Sequence, residues 1–350
     1  MDTIIKVHID NIIYYLQDSG GISCYWSELG SRLLADKNIR LTVNYSPHYS
    51  KNIFGTSLFQ GDTKPIFGVA SRYLDYSVPA NVVTHSSYYR CPRKRSRNVV
   101  HVTTVHDFIY EKYNSGIRRA LHSMQKNRAI RNSNGVIAIT ENTKADILYY
   151  LPELDPSRIR VIYNGVSTDY QPLKEGKYKK YSKHVLFVGN RAGYKNFVSA
   201  VEAVSMNANM KLLILGPQLN AKEIKILNSF LPERYEFISH IPNSELNKLY
   251  NSVFALVYPS YYEGFGIPVV EAMKAGCPFI AYNGSSIPEV AGNAGCLLER
   301  IDGESICSSL DKLKDGSYRN EKIEQGIVQS RKFSWEKCYQ ETIEFYESLM

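Results

Sequence analysis

Between residues 6 and 282, short apolar runs rich in β-branched residues alternate with stretches of helical period. That alternation restricts the chain to β-α-β units and parallel sheets. Strands are expected at 6–10, 40–45, 99–105 and 135–139, with helices near 22–35 and 118–131 and a third opening at Thr140 or Asn142, either of which can cap it. Residues 170–181 are polar and turn-rich, as an interdomain linker would be. A second α/β series follows, with strands expected at 185–188, 211–215, 235–239, 254–258 and 278–282. At the end, Trp335, Tyr339, Ile343 and Tyr346 stand three or four apart, the spacing of an amphipathic helix that Ser334 can cap. At 350 residues the chain exceeds one typical core. The expected division is 1–170, a linker at 171–182, a second domain at 183–330 and a terminal helix at 331–350.

The six cysteines lie far apart, with no C-x-x-C pair and no histidine-rich neighbourhood, so neither a zinc site nor a disulfide framework is expected. No apolar run approaches the roughly 18 residues a membrane span needs. Asp2, Lys6, His8 and Asp10 interrupt the apolar start, which is wrong for a secretory signal, and a cytoplasmic location is expected. Net charge is +8, and it is uneven: residues 1–170 carry 21 Lys+Arg against 14 Asp+Glu, residues 171–350 carry 21 against 20. The surplus gathers in residues 90–97 and in Arg118, Arg119, Lys126, Arg128 and Arg131, beside Tyr88, Tyr89, Leu121 and Met124. Such a mixture suits the inner surface of an anionic membrane, and it contains no recognised nucleic-acid-binding module.

The most informative stretch is Pro259-Ser260-Tyr261-Tyr262-Glu263-Gly264-Phe265-Gly266-Ile267-Pro268, continuing to Glu271-Ala272-Met273: a strand end, a glycine-flanked turn and a helix start. The glycines permit close ligand approach, and the helix start offers free N–H groups and a positive dipole end, which together suit a phosphate. Two carboxylates beside a diphosphate would repel it. Glu263 and Glu271 are therefore expected to accept hydrogen bonds from sugar hydroxyls, Glu271 from a ribose and Glu263 from a transferred hexose. Neutralising charge can come from Val188-Gly189-Asn190-Arg191-Ala192-Gly193-Tyr194-Lys195, a strand ending in glycine that delivers two cations to the carboxyl edge of a sheet, where ligands of open α/β folds bind. No D-x-D triplet occurs, and no metal or other cofactor is expected.

Glu263-x7-Glu271 within Pro-Ser-x-x-Glu-Gly-Phe-Gly-Ile-Pro-x-x-Glu-Ala-Met resembles the signature of the retaining GT-B glycosyltransferases of family 4. The likeness is strongest over 185–300. Upstream, Ser19-Gly20-Gly21-Ile22 is similar to the family's glycine loop and Val105-His106-Asp107 to its strand-end histidine. The resemblance implies two Rossmann-like domains facing a central cleft, with the terminal helix crossing back to the first. It places Glu263 on the donor sugar with the backbone of Gly264, Phe265 and Gly266 beside it, Glu271 on the ribose, and Arg191 and Lys195 on the diphosphate. Gly21 would approach the diphosphate from the first domain, and His106 would touch the donor sugar near its anomeric carbon. Arg191 and Lys195 are closer together than in the family's commoner pattern.

The function expected on this basis is transfer, with retention, of a hexose or deoxyhexose from a UDP- or GDP-sugar to a saccharide acceptor, lipid-linked, in bacterial surface polysaccharide synthesis such as O-antigen or capsule. A GT-B sugar-nucleotide epimerase and a non-catalytic nucleotide-sugar-binding or membrane scaffold are the alternatives.

Overall fold

A computed structural model describes residues 4–45, 50–54, 65, 67–93, 97–174 and 180–350. Residues 94–96 of the basic run and 175–179 of the expected linker lie outside the described residues. The chain divides into two compact units, residues 1–165 with 335–350, and residues 166–334.

The first unit runs β1 (Ile5–Ile9), α1 (Ile13–Leu16), α2 (Gly21–Ala35), β2 (Ile39–Val43), β3 (Val82–Ser86), β4 (Val99–Val105), α3 (Ile109–Tyr113), α4 (Gly116–Asn132), β5 (Gly135–Ala138), α5 (Glu141–Tyr150) and β6 (Ile159–Val161). Thr140 caps α5 by accepting from the Thr143 N–H. Its six strands pair in the order β2-β1-β3-β4-β5-β6, all parallel.

The second unit runs β7 (His184–Val188), α6 (Phe197–Ser205), β8 (Lys211–Leu215), α7 (Ala221–Phe230), β9 (Tyr235–Ile238), α8 (Asn243–Tyr250), β10 (Ala255–Tyr258), α9 (Ile267–Ala275), β11 (Phe279–Tyr282), α10 (Ile287–Ala291), β12 (Cys296–Leu298), α11 (Gly303–Lys312) and α12 (Gly316–Ser330). Its order is β12-β11-β10-β7-β8-β9, again all parallel. Strands covered on both faces must be apolar throughout, and Val185, Phe187, Leu212, Ile214, Val257 and Ile280 form the centre of this core.

The last helix, α13 (Trp335–Leu349), belongs to the first unit, where Trp335, Tyr339, Phe345 and Tyr346 join the core around Ile9, Trp26 and Val83. Tyr346 meets His85 Nδ1 at 2.6 Å and Tyr339 donates to Asp36 at 2.5 Å, so the helix is pinned by polar contacts as well as by burial. Gly135 makes room for it. A Cβ there would stand 2.5 Å from Leu349 and 2.6 Å from Phe345.

Three strands, β3, β6 and β12, are additional to those read from the sequence. The centre of β3 is polar, yet Thr84, His85 and Ser86 are buried because each has a partner: Thr84 meets the Tyr76 hydroxyl, His85 meets Tyr346, and Ser86 donates to Asp10.

Candidate functional site

In the second unit the strand order reverses between β7 and β10, and the loops leaving the carboxyl ends of these two strands define a crevice. The loop after β7 carries Lys195 in a 3-10 turn, followed by Asn196 in the left-handed region (φ 51°), where α6 starts. The loop after β10 carries Glu263. Lys195 Nζ lies 2.6 Å from Glu263 Oε1 and 3.3 Å from the Tyr258 hydroxyl. Burial alone would lower the Lys195 ammonium, but the charge of Glu263 and the Tyr258 hydroxyl outweigh it and raise the pKa.

The turn that holds Glu263 is clamped on both sides of its peptide. Its N–H donates to Ser285 Oγ at 3.0 Å, and its carbonyl accepts from Ser286 Oγ at 3.0 Å. Gly266 then adopts φ 92° as the residue preceding α9, a conformation that requires glycine, and a Cβ on it would also have to displace Ile287 Cδ1 from 2.6 Å. Phe265 faces the core edge-on to Phe333, which leaves its backbone as the part a ligand can meet. The arrangement sets an ammonium from the loop after β7 against a carboxylate and the amino end of a helix from the loop after β10, a combination suited to an anionic sugar ester.

Glu271, in the second turn of α9, accepts from the Tyr170 hydroxyl at 3.0 Å and the Tyr250 hydroxyl at 2.9 Å. Burial raises its pKa while both tyrosines oppose that rise. Each carboxylate oxygen thus has one donor and keeps a lone pair for another. Tyr170 also donates to Asn243, and the N–H groups of Gln171 and Leu173 bond to Asn247 and Asn251, so 170–173 is held along α8.

Arg191 is placed differently from Lys195. Its guanidinium donates to the carbonyls of Pro217 (2.6 Å) and Gln218 (3.0 Å), and its Nε lies 2.9 Å from Glu223 Oε1. Glu223 is fixed there because it completes the capping box of α7 with Asn220. The structure brings Lys195 and Glu263 together and ties Arg191 to the loop after β8.

In the first unit, Gly21 opens α2 and is exposed. His106 follows β4, nearly buried, with its ring edge-on to Tyr25 at 5.1 Å. Burial, and then the Lys126 ammonium, hold its pKa down at about 3, and its Nε2 has no hydrogen-bond partner among the described residues. A neutral imidazole donates from one nitrogen and accepts at the other, and here Nε2 is enclosed. Asp107 accepts from the Ile109 N–H, a local turn contact.

The basic run does not form one surface. Arg90 is 3% exposed and paired with Asp10 at 3.3 Å, and Lys126 is fully buried against Glu111, so neither can meet a membrane. Their strand-end and helix positions face inward, and buried cations take carboxylate partners. Arg128 is bidentate to Asp75 at 2.7 Å, and Arg131 is paired with Glu153 at 2.8 Å. Arg118 and Arg119 are exposed on α4. Tyr170, Tyr250, Tyr258, Glu223 and the Ser285-Ser286 clamp were not legible, because their contacts join positions far apart in sequence.

Comparison with known proteins gives a consistent picture. The profile of Glycosyltransferase Family 4 matches residues 7–170, and that of Glycosyl transferases group 1 matches residues 171–328. O-antigen chain mannosyltransferase B of Escherichia coli is 27% identical over 79% of this chain and 75% of its own length. The serotype-specific mannosyltransferase WbdA of Escherichia coli is 26% identical over 61% of this chain, which spans 28% of that longer protein. Among solved structures, sucrose-phosphate synthase from Thermosynechococcus elongatus superposes with a TM-score of 0.74 at 18% identity, covering 98% of both chains. Anabaena Alr3699/HepE in complex with UDP and glucose gives 0.74 at 14% identity, over 99% of this chain and 100% of that one.

Proposed function

This chain belongs to the group 1 glycosyl transferases of glycosyltransferase family 4, with the GT-B fold, and on that premise we propose that it transfers a hexose with retention. It is a glycosyltransferase related to O-antigen mannosyltransferases. The proposed donor is a GDP- or UDP-hexose, UDP being considered because HepE was solved with it, and mannose is the first sugar to test because O-antigen chain mannosyltransferase B and WbdA are mannosyltransferases. The proposed acceptor is a lipid-linked saccharide of a surface polysaccharide.

The observation that carries this reading is the Lys195–Glu263 pair at the strand-order reversal, beside the amino end of α9. With donor bound, Lys195 and the first N–H groups of α9 stabilise the departing diphosphate, and Glu263 accepts from a hydroxyl of the sugar. Glu271, oriented by Tyr170 and Tyr250, takes the ribose hydroxyls. Arg191 reaches the diphosphate after leaving Glu223, or else supports the loop it now holds. The bond from the anomeric carbon to the phosphate oxygen breaks as the bond to the acceptor oxygen forms on the same face. The acceptor proton passes to the leaving phosphate, and the cations of the protein serve where a metal otherwise would.

The test is acceptor-dependent release of nucleoside diphosphate from GDP-mannose and UDP-hexoses, with Mg²⁺ and with EDTA, and NMR of the product anomer. Retention without metal dependence supports the reading. An inverted product would overturn it. Consumption of donor with no acceptor and no diphosphate release would point to the epimerase.

A second component concerns the membrane. Ile117, Leu121 and Met124, one helical turn apart on α4, are 76%, 41% and 64% exposed, with Arg118 and Arg119 among them. We propose that this face meets an anionic lipid surface, which would bring the enzyme to a lipid-linked acceptor. Among the described residues no helix is long and apolar enough to cross a membrane. Vesicle co-sedimentation that is insensitive to salt and unchanged in Arg118→Glu/Arg119→Glu would overturn this component.

A further inference from the structure

A lysine with no exposed surface is rare, and Lys126 is one. Its Nζ donates to Glu111 Oε2 at 2.8 Å and to the Asp107 carbonyl at 2.8 Å, and it lies 4.3 Å from the Phe108 ring centroid. Glu111 is satisfied in turn by Ser123 at 2.9 Å and faces His122 Nδ1 at 3.6 Å. Three elements meet here: the turn after β4, α3 and α4. A buried ion pair of this kind contributes little net stability compared with an apolar pair of similar volume, so its retention calls for another role. The carbonyl that Lys126 holds is the one immediately after His106.

We propose that Lys126, with Glu111 as its counter-ion, is a positioning residue for His106: by holding the Asp107 carbonyl it fixes the strand-end turn that carries that imidazole. This rests on the reading of His106 as a sugar contact. The groups facing His106 are Lys126 on α4, Tyr25 on α2, His85 on β3 and Tyr89 in the segment after β3. Of these, Lys126 supplies the nearby positive charge, and it acts in the same direction as burial, keeping the imidazole neutral. Geometry and charge therefore come from one side chain.

Two double variants separate these contributions without leaving a lone buried charge. Lys126→Gln/Glu111→Gln keeps an N–H donor for the Asp107 carbonyl and removes the charges. Lys126→Met/Glu111→Leu removes donor and charges together. For the glutamine pair, kcat at neutral pH is expected to stay within a few-fold of wild type, while the acid limb of kcat moves to higher pH. The Met/Leu pair is expected to lose about 10²-fold in kcat, with donor KM changed far less, as misplacement of a contact near the reacting carbon would produce. NMR of labelled histidine, with His106 assigned through His106→Asn, reads the titration of the imidazole in each variant independently of activity. A rise of the His106 titration in both folded variants supports the proposal. Unchanged titration and unchanged kcat in folded variants, with His106→Asn inactive, would overturn it. If His106→Asn is fully active, the sugar-contact reading fails by itself, and the NMR titration still decides whether Lys126 governs the imidazole. Should the Met/Leu pair not fold, the glutamine pair and its titration decide alone.

Discussion

Among the described residues each unit contains one buried lysine–glutamate pair, and the two are of nearly equal length, Lys195–Glu263 at 2.6 Å in the second and Lys126–Glu111 at 2.8 Å in the first. What separates them is enclosure. The side chains of the first pair named are 11% and 9% exposed at the carboxyl ends of β7 and β10, and those of the other are 0% and 3% exposed beneath α4. A pair that water reaches can exchange a partner for a ligand, whereas a closed pair can only hold what surrounds it. On the readings proposed above, nearly equal distances serve two jobs, binding in one unit and positioning in the other.

The sharpest way to break this contrast is to remove one cation from each. Lys126→Met leaves Glu111 buried without its lysine, with an expected loss of about 3 kcal/mol in urea unfolding, while Lys195→Met should cost less than half as much. Equal losses would erase the distinction. The closed pair also sets an acid limit. Burial alone would raise the Glu111 carboxyl, but His122 and Lys126 outweigh it and hold it at about 2, below its unfolded value. Its contribution is therefore present above the usual carboxylate range and lost as pH falls from about 5 towards 2, and the Lys126→Met/Glu111→Leu variant should lack that slope.

On activity the order reverses. Lys195→Met is expected to lower kcat/KM by about 10²–10³-fold, the size of a removed transition-state donor, in steady-state assays of diphosphate release. A smaller effect is expected behind the open pair. Tyr250→Phe removes one of the two donors to Glu271 and should raise donor KM about tenfold with kcat nearly unchanged, and Tyr170→Phe should do less because that hydroxyl is shared with Asn243. The smallest effect belongs to the surface of α4, where Arg118→Glu/Arg119→Glu should weaken vesicle binding by about 1 kcal/mol per residue and leave soluble-acceptor kinetics unchanged.

The two sites differ equally in how readable they were. Glu263, Gly264, Gly266 and Glu271 lie in one strand-turn-helix, so a single run of sequence shows them together, and most strands of both sheets stand within a residue or two of where the apolar runs put them. In α4 the pattern is inverted: Ile117, Leu121 and Met124 face outward while His122, Gln125 and Lys126 are buried, which is why Lys126 read as part of a basic surface. Arg90 misled for the same reason, since its partner Asp10 is 80 residues away. Arg191 and Lys195 share a loop, but the capping box of α7 presents Glu223 to one of them only. Periodicity reports which residues are apolar, and it is silent on which polar residues find partners inside.

The central claim is that the Lys195–Glu263 site receives a nucleoside diphosphate. Its most direct test is thermal unfolding of wild type and of Lys195→Met/Glu263→Gln with UDP, GDP, TDP, ADP and CDP, with and without Mg²⁺. A ligand that binds the native state raises its apparent stability, so one diphosphate should raise the wild-type Tm by several degrees, without Mg²⁺, and leave the variant unmoved. An equal shift in both proteins, or none with any nucleotide, would contradict the account.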